Sequence, residues 1–257
     1  MNRFFISPKN IVGAAARLSG AEAHHALNVF RMKKGDPIVI CDGEGYEYEG
    51  LIEDLGKNEV SVKITRAKRS LSEPPLEIIL AQAVSKKSDK FEWVIQKATE
   101  LGVSRIVPLV TERTLVRIKD TTLDARLERW RRIGLEAAKQ SRRSRTPVID
   151  TLKSLTEFLE SIPRDVFCLI PWEEERTAGI RDILRCEKEN NYPRPAAVVI
   201  GPEGGFTEEE IRCARKAGCI PVSLGPRILR TETAGITAVG IVMYELGDLG
   251  GAPVGTS

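Results

Sequence analysis

Two glycine corners hold the residues whose types and spacing could do chemistry. In AAVVIGPEGGFTEEE, residues 196–210, Gly201, Glu203, Gly204 and Gly205 form a turn between an apolar run and a helix start. In CIPVSLGPRILRTETAG, residues 219–235, a second turn carries Leu224, Gly225, Arg227, Ile228, Leu229, Arg230, Glu232 and Thr233 between another apolar run and another helix start. Glycine lets main chain approach a ligand closely. The glycine spacing is not G-x-G-x-x-G, and no Gly-Lys-Ser/Thr follows, so neither nucleotide fingerprint is present. Glu203 in the turn, with Glu208, Glu209 and Glu210 at the helix start, repels an anion where a helix N-terminus would otherwise attract one. A neutral or cationic ligand held by backbone groups suits the first corner. A lone glycine turn between strand and helix is also ordinary structural punctuation. The second corner, about twenty residues on, shifts the balance: adjacent parallel strands joined by a crossover helix would bring both corners to one crevice.

Other chemistries find less support. His24 and His25 lack a carboxylate or cysteine at ligand spacing, so no metal is expected. No G-x-S-x-G occurs, which disfavours an acyl-enzyme. The cysteines, Cys41, Cys168, Cys186, Cys213 and Cys219, form no C-x-x-C pair and are odd in number, consistent with a reduced cytosolic protein without zinc. Between Arg126 and Arg145 stand six further cations, Arg129, Arg131, Arg132, Lys139, Arg142 and Arg143, against Glu128 and Glu136. A solvated helix face accounts for part of this run. Arg142, Arg143 and Arg145 fall past the expected helix end, where guanidinium groups can fork onto phosphates. Lys86, Lys87 and Lys90 extend the same basic footprint.

The elements that must position these residues divide near SLSEPP, residues 70–75. Before it, PIVICD, YEYEGLIEDL and EVSVKITRA read as short strands broken by turn signals, with an amphipathic helix over 21–31. Beyond it, apolar runs at 76–84, 105–110, 166–170, 196–200 and 219–224 alternate with helical patterns, which predicts an α/β fold with a mostly parallel sheet. Thr207 and Glu210 have capping-box spacing. The chain has 257 residues, 42% of them hydrophobic, enough for one large or two ordinary domains, and its net charge of +3 requires any nucleic-acid affinity to come from clustered charge. No signal-peptide pattern or membrane-length apolar run is present, so the expected compartment is the cytoplasm.

IGPEGGFTEEE followed by LGPRILRTETAGI resembles the ribosomal RNA small subunit methyltransferase E family, uridine-N3 methyltransferases of the SPOUT superfamily. MNRFFI at the start, HHALNVFR at 24–31, residues 82–114 and RWRRIGLEAAKQSRR at 129–143 extend the likeness across nearly the whole chain. The resemblance implies a PUA-like RNA-binding β-barrel over 1–72, a SPOUT methyltransferase domain with a C-terminal trefoil knot over 73–250, and a flexible tail over 251–257. It implies S-adenosyl-L-methionine as cofactor, a homodimer, and small-subunit ribosomal RNA, free or within a 30S particle, as partner. Methylating uridine N3 requires loss of its imino proton and stabilisation of charge on the uracil carbonyls, tasks of alignment and electrostatic preorganisation. Arg230, Arg227 and Arg3 are the expected donors. Glu232 either orients an arginine, accepts a proton or caps its helix. Ile170, Pro171, Gly201, Glu203, Gly204, Gly205, Leu224, Gly225, Ile228, Leu229 and Thr233 are the expected cofactor contacts. His25, Arg31, Lys86, Lys87, Arg142, Arg143 and Arg145 are the expected RNA contacts. Two alternatives remain at this level: a SPOUT enzyme acting on another RNA or atom, such as a transfer-RNA ribose, and a non-catalytic ribosome-binding module.

Overall fold

The computed structural model describes residues 1–85, 88–114, 120–190 and 194–251, and Lys86, Lys87 and nearly all of the expected tail lie outside them. The chain forms two compact units: Met1–Glu73 with Ala138–Thr146, and Pro74–Ala137 with Pro147–Ser257.

In the first unit, strands β1 (Asn2–Phe5), β2 (Ile11–Val12), β3 (Ala15–Ser19), β4 (Pro37–Cys41), β5 (Tyr46–Leu55) and β6 (Glu59–Arg69) make a sheet of order β1-β4-β5-β6-β3-β2. Only the β1–β4 pair is parallel. Phe4, Leu18, Ile38, Ile40, Ile52, Val60 and Val62 fill its core, with alternate strand residues facing inward as the period of two requires. The helix expected over 21–31 is shorter. Helix α1 (Gly20–His24) passes into a π-turn over His25–Val29, and the chain leaves it at Arg31 with φ 50°. The segment Ala138–Thr146, which the sequence places with the second domain, joins this unit because Glu73 gathers it. The Glu73 carboxylate accepts the Ser144 and Arg145 backbone N–H groups at 2.8 and 2.9 Å and pairs with Arg143 Nη2 at 2.9 Å.

The second unit is an all-parallel sheet between two layers of helices. Its strands are β7 (Ile78–Ala83), β8 (Arg105–Val110), β9 (Val148–Ile149), β10 (Lys153–Ser154), β11 (Phe167–Pro171), β12 (Ala196–Ile200) and β13 (Ile220–Val222), in the order β10-β8-β7-β12-β11-β13 with β9 also on β8. The connecting helices are α2 (Ser88–Glu100), α3 (Asp120–Gln140), α4 (Leu155–Ser161), α5 (Ile180–Asn190), α6 (Glu208–Lys216) and α7 (Thr231–Glu245). β12 shows why AAVVI reads as a continuous apolar run: both its faces are covered. Ala196, Val198 and Ile200 pack with Val94 and Ile95 of α2, Leu184 of α5 and Val239 and Val242 of α7, while Ala197 and Val199 pack with Phe158 of α4 and Ile211 of α6.

One expectation is corrected here. The structure joins Cys168 of β11 to Cys219 in a disulfide, where the sequence suggested reduced thiols. The two lie 51 residues apart in sequence, but Leu169 pairs with Ile220 in the adjacent parallel strands, which sets the cysteines side by side with Cα atoms 4.6 Å apart. Sequence spacing carries no trace of that neighbourhood. Cys41, Cys186 and Cys213 are in no disulfide.

Candidate active site

Three chain segments leaving the C-terminal ends of adjacent strands enclose one cavity of about 740 Å³, a volume suited to a cofactor-sized ligand. The first follows β12. Gly205 turns there with φ 67°, a left-handed conformation natural to glycine, and Thr207 caps α6 with Glu210 completing the capping box. The turn is held from outside: Arg113 Nη1 donates to the Gly204 carbonyl at 2.9 Å, and the Glu112 N–H donates to Glu210 Oε1 at 2.8 Å. A Cβ on Gly201 would come within 3.0 Å of the Phe206 ring, so that bare residue keeps the wall thin.

The second segment follows β13. Gly225 has φ 114° and donates its N–H to Ser223 Oγ at 3.2 Å. The chain then runs through Arg227, Ile228 and Leu229 to Arg230, whose backbone starts α7 but whose side chain makes no cap bond. The third segment follows β11. Its Trp172 N–H donates to the Val222 carbonyl at 3.0 Å, and Glu175 folds it back. Glu175 Oε1 accepts the Thr177 hydroxyl at 2.6 Å and the Thr177 and Ala178 N–H groups at 2.9 and 3.2 Å. These bonds, from Thr177 first, hold the Glu175 carboxyl down at about 2.

The cavity wall contains ten of the residues expected there or near the chemistry: Pro171, Gly201, Glu203, Gly205, Leu224, Gly225, Arg227, Ile228, Leu229 and Arg230. Three further expected contacts do not line this cavity. Ile170 is fully buried in the core, Gly204 turns its carbonyl to Arg113, and Thr233 is exposed in the first turn of α7. Glu232 pairs with Lys90, itself a wall residue, at 2.9 Å, and its Oε2 is buried without a hydrogen-bond partner. Burial pushes the Glu232 carboxyl up. The hydrogen bond from Lys90, its own N–H and the charges of Lys90 and Arg230 outweigh that and hold it below the usual carboxylate range.

Sequence reasoning missed Thr231, Gln82 and Glu175 as organisers of the site. Gln82 carried a readable signal, a polar residue inside the apolar run IILAQA that is 1% exposed in the structure. The wall mixes signs: Glu173, Glu174 and Glu203 stand with Lys90, Arg176, Arg227 and Arg230.

Arg3 belongs to the first unit. Its Nη2 donates to Glu47 Oε1 at 2.5 Å, and Ser70 donates to the same carboxylate. Among the expected RNA contacts, Arg31 and Arg142 are exposed and His25 is half-buried in the π-turn. Arg143 is 2% exposed against Glu73, and Arg145 Nε donates to the Glu44 carbonyl at 2.8 Å. Among the described residues, no group of three or more His, Cys, Asp or Glu is placed to hold a metal ion, and no helix is long and apolar enough to cross a membrane.

The parallel sheet with its glycine-cornered cavity, in a chain that also carries a small mixed sheet, has the architecture of an RNA methyltransferase. An RNA methyltransferase domain model matches residues 72–243, and an RNA methyltransferase PUA domain model matches residues 18–65. A Bacillus subtilis protein described as ribosomal RNA small subunit methyltransferase E is 33% identical over 250 residues, covering 95% of this chain and 97% of its own. A Synechocystis protein of the same description is 34% identical over 238 residues, covering 92% of this chain and 75% of its own. The chain belongs to the ribosomal RNA small subunit methyltransferase E family. Among solved structures, the Neisseria gonorrhoeae enzyme bound to S-adenosyl methionine superposes with TM-score 0.84 at 32% identity, covering 97% of this chain and 99% of its own. A Legionella pneumophila protein in complex with the bound cofactor SAM superposes with TM-score 0.77 at 33% identity, covering 96% and 98%.

Proposed function

We infer that this chain transfers a methyl group from S-adenosyl-L-methionine to N3 of a uridine in small-subunit ribosomal RNA. The observation that carries the reading is the convergence of the 201–206 and 223–230 segments on one cavity, with backbone and bare glycines on its walls. The residues present fit that cofactor. Gly201 leaves room that a Cβ would take from Phe206, and the carboxylates Glu173, Glu174 and Glu203 suit a ligand bearing a sulfonium and an ammonium charge. Bound there, S-adenosylmethionine supplies an electrophilic methyl group.

The chain's own residues then have three tasks. Gly201, Glu203, Gly205, Leu224, Gly225, Ile228, Leu229 and Pro171 would hold the donor, the apolar members offering surface for its ring. Arg230 and Arg227 present guanidinium groups to the uracil carbonyls, where negative charge gathers as N3 loses its proton. Glu232, ionised beside Lys90, would accept that proton or orient the arginines. The target uridine must leave its stack to enter. Arg31, His25 and Arg142 serve phosphate and sugar contacts, and the polynucleotide is read mostly by shape.

The same reading includes a knotted C-terminal segment, a homodimer and a cytoplasmic enzyme acting on free or assembled small subunits. A dimer is supported by α7, where Tyr244 is 66% exposed and a Cβ on Gly240 would meet nothing within 4 Å. The decisive experiment treats small-subunit RNA, naked and in 30S particles, with the protein and S-adenosylmethionine and maps modified nucleotides. Uridine-N3 methylation is expected. Ribose methylation or methylation of transfer RNA would replace this reading with the neighbouring SPOUT activity. Donor binding without transfer to any RNA would replace it with a binding module.

A further inference from the structure

Gln82 is the penultimate residue of the central strand β7, directly beside Ile200, the last residue of β12, in the parallel register. Its amide is 1% exposed and reaches across to α7, with Nε2 2.8 Å from Thr231 Oγ1. Thr231 Oγ1 in turn lies 2.5 Å from the Gly201 carbonyl. A carbonyl can only accept, so the single Thr231 hydroxyl proton goes to Gly201, and the hydroxyl oxygen must accept from Gln82. That fixes the amide orientation. Gln82 Oε1 is then left facing α7 at Gly235, where a Cβ would sit 2.3 Å from it, and it has no hydrogen-bond partner. A buried amide with half its capacity unmet is poor material for a core, where an apolar side chain of that shape would do better. Its presence here makes sense if the donated half is needed.

We propose that Gln82 and Thr231 form a clamp that sets the 201–206 segment against the start of α7, and thereby holds the donor cavity in its binding shape. Both are positioning residues, and the chain of bonds ties Gly201 of the first corner and the start of α7, which follows the second, to β7, the strand beside β12. The proposal rests on the reading of the cavity as the S-adenosylmethionine site. The clamp acts on the shape of the donor wall, so its loss raises KM for S-adenosylmethionine more than it lowers kcat, and it leaves the pH profile of kcat in place.

The test compares Thr231→Val, Thr231→Ser, Gln82→Met and the double variant Gln82→Met with Thr231→Val, each checked by circular dichroism and thermal melting. Two readouts are taken: calorimetric Kd for S-adenosylmethionine, and amide hydrogen exchange of residues 201–206 in the ligand-free protein. Thr231→Val, which keeps shape and removes the hydroxyl, should weaken donor binding about tenfold and speed exchange, the loss expected of one net hydrogen bond. Thr231→Ser should recover most of both. Gln82→Met should act in the same direction, and the double variant should be no worse than Thr231→Val alone. Serine failing as badly as valine, or fully additive losses, would overturn the clamp. If wild type itself binds no donor, the cavity reading fails, and the exchange measurement still decides whether the clamp exists.

Discussion

Lys90 Nζ lies 2.9 Å from Glu232 Oε1 at the start of α7, beside the cavity. The pair keeps a mostly buried carboxylate ionised, because removing the cation would leave burial as the largest remaining influence on it. Lys90→Met should therefore raise the Glu232 pKa, moving the acid limb of kcat to higher pH if the ionised carboxylate accepts the uridine proton. Glu232→Gln should lower kcat by about 10²-fold and flatten that limb. Rate profiles at saturating donor and RNA measure both. An acid limb that stays put in Lys90→Met excludes Glu232 from proton transfer and leaves it an orienting residue.

Glu175 gives a prediction about stability with a defined pH window. Its carboxyl, held at about 2 by Thr177, Ala178 and Arg215, stabilises the fold fully above the ordinary carboxylate value near 4.3, and that contribution disappears as pH falls toward about 2. Glu175→Gln leaves backbone N–H groups poorly matched and should cost about 1–3 kcal/mol at neutral pH. It should also weaken donor binding, since the segment it folds supplies Trp172, Glu173, Glu174 and Arg176 to the wall. Urea denaturation from pH 7 to pH 2 checks it: the gap between wild type and variant should narrow only below about pH 4. A gap that narrows between pH 7 and 5 would assign the stabilisation to another group.

The two glycine corners are legible because their signals are local. AAVVI, the glycine turn and the Thr207–Glu210 capping box lie within fifteen residues, and the structure reproduces the strand and the cap. What the sequence hides depends on partners far along the chain. Gln82 and Thr231 are 149 positions apart, and Arg143 and Glu73 are 70 apart. A charge run looks the same whether its members face water or a buried carboxylate, and only the fold tells Arg142 from Arg143.

That distinction can be measured. Arg143 and Glu73 are 3% and 10% exposed at their side chains, and removing one partner of a buried pair costs about 3–5 kcal/mol. Arg143→Ala should therefore unfold or strongly destabilise the first unit, seen as a lowered melting temperature whether or not RNA is present. Arg142→Ala should leave melting nearly unchanged and weaken RNA binding, with a smaller dependence of log Kd on log salt. If Arg142→Ala leaves the salt dependence intact, the basic segment makes no phosphate contact.

Arg230 and Arg3 were both expected to face the uracil, and their surroundings separate them. Arg230 is exposed at the cavity wall with no side-chain cap bond, so truncating it disturbs little else. Arg3 is 18% exposed at its side chain and held by Glu47, which Ser70 also engages. Arg230→Ala should lower kcat by about 10²-fold, the usual loss for one donor to a developing charge, while donor Kd and melting temperature stay near wild type. Arg3→Ala leaves the Glu47 carboxylate without its guanidinium, so its activity loss should track a fall in melting temperature and be recovered in part by removing both partners, as in Arg3→Met with Glu47→Leu. Turnover that stays low in that double variant at restored stability would return Arg3 to the chemistry. Equal losses of kcat and donor affinity in Arg230→Ala would move that arginine from the uracil to the cofactor.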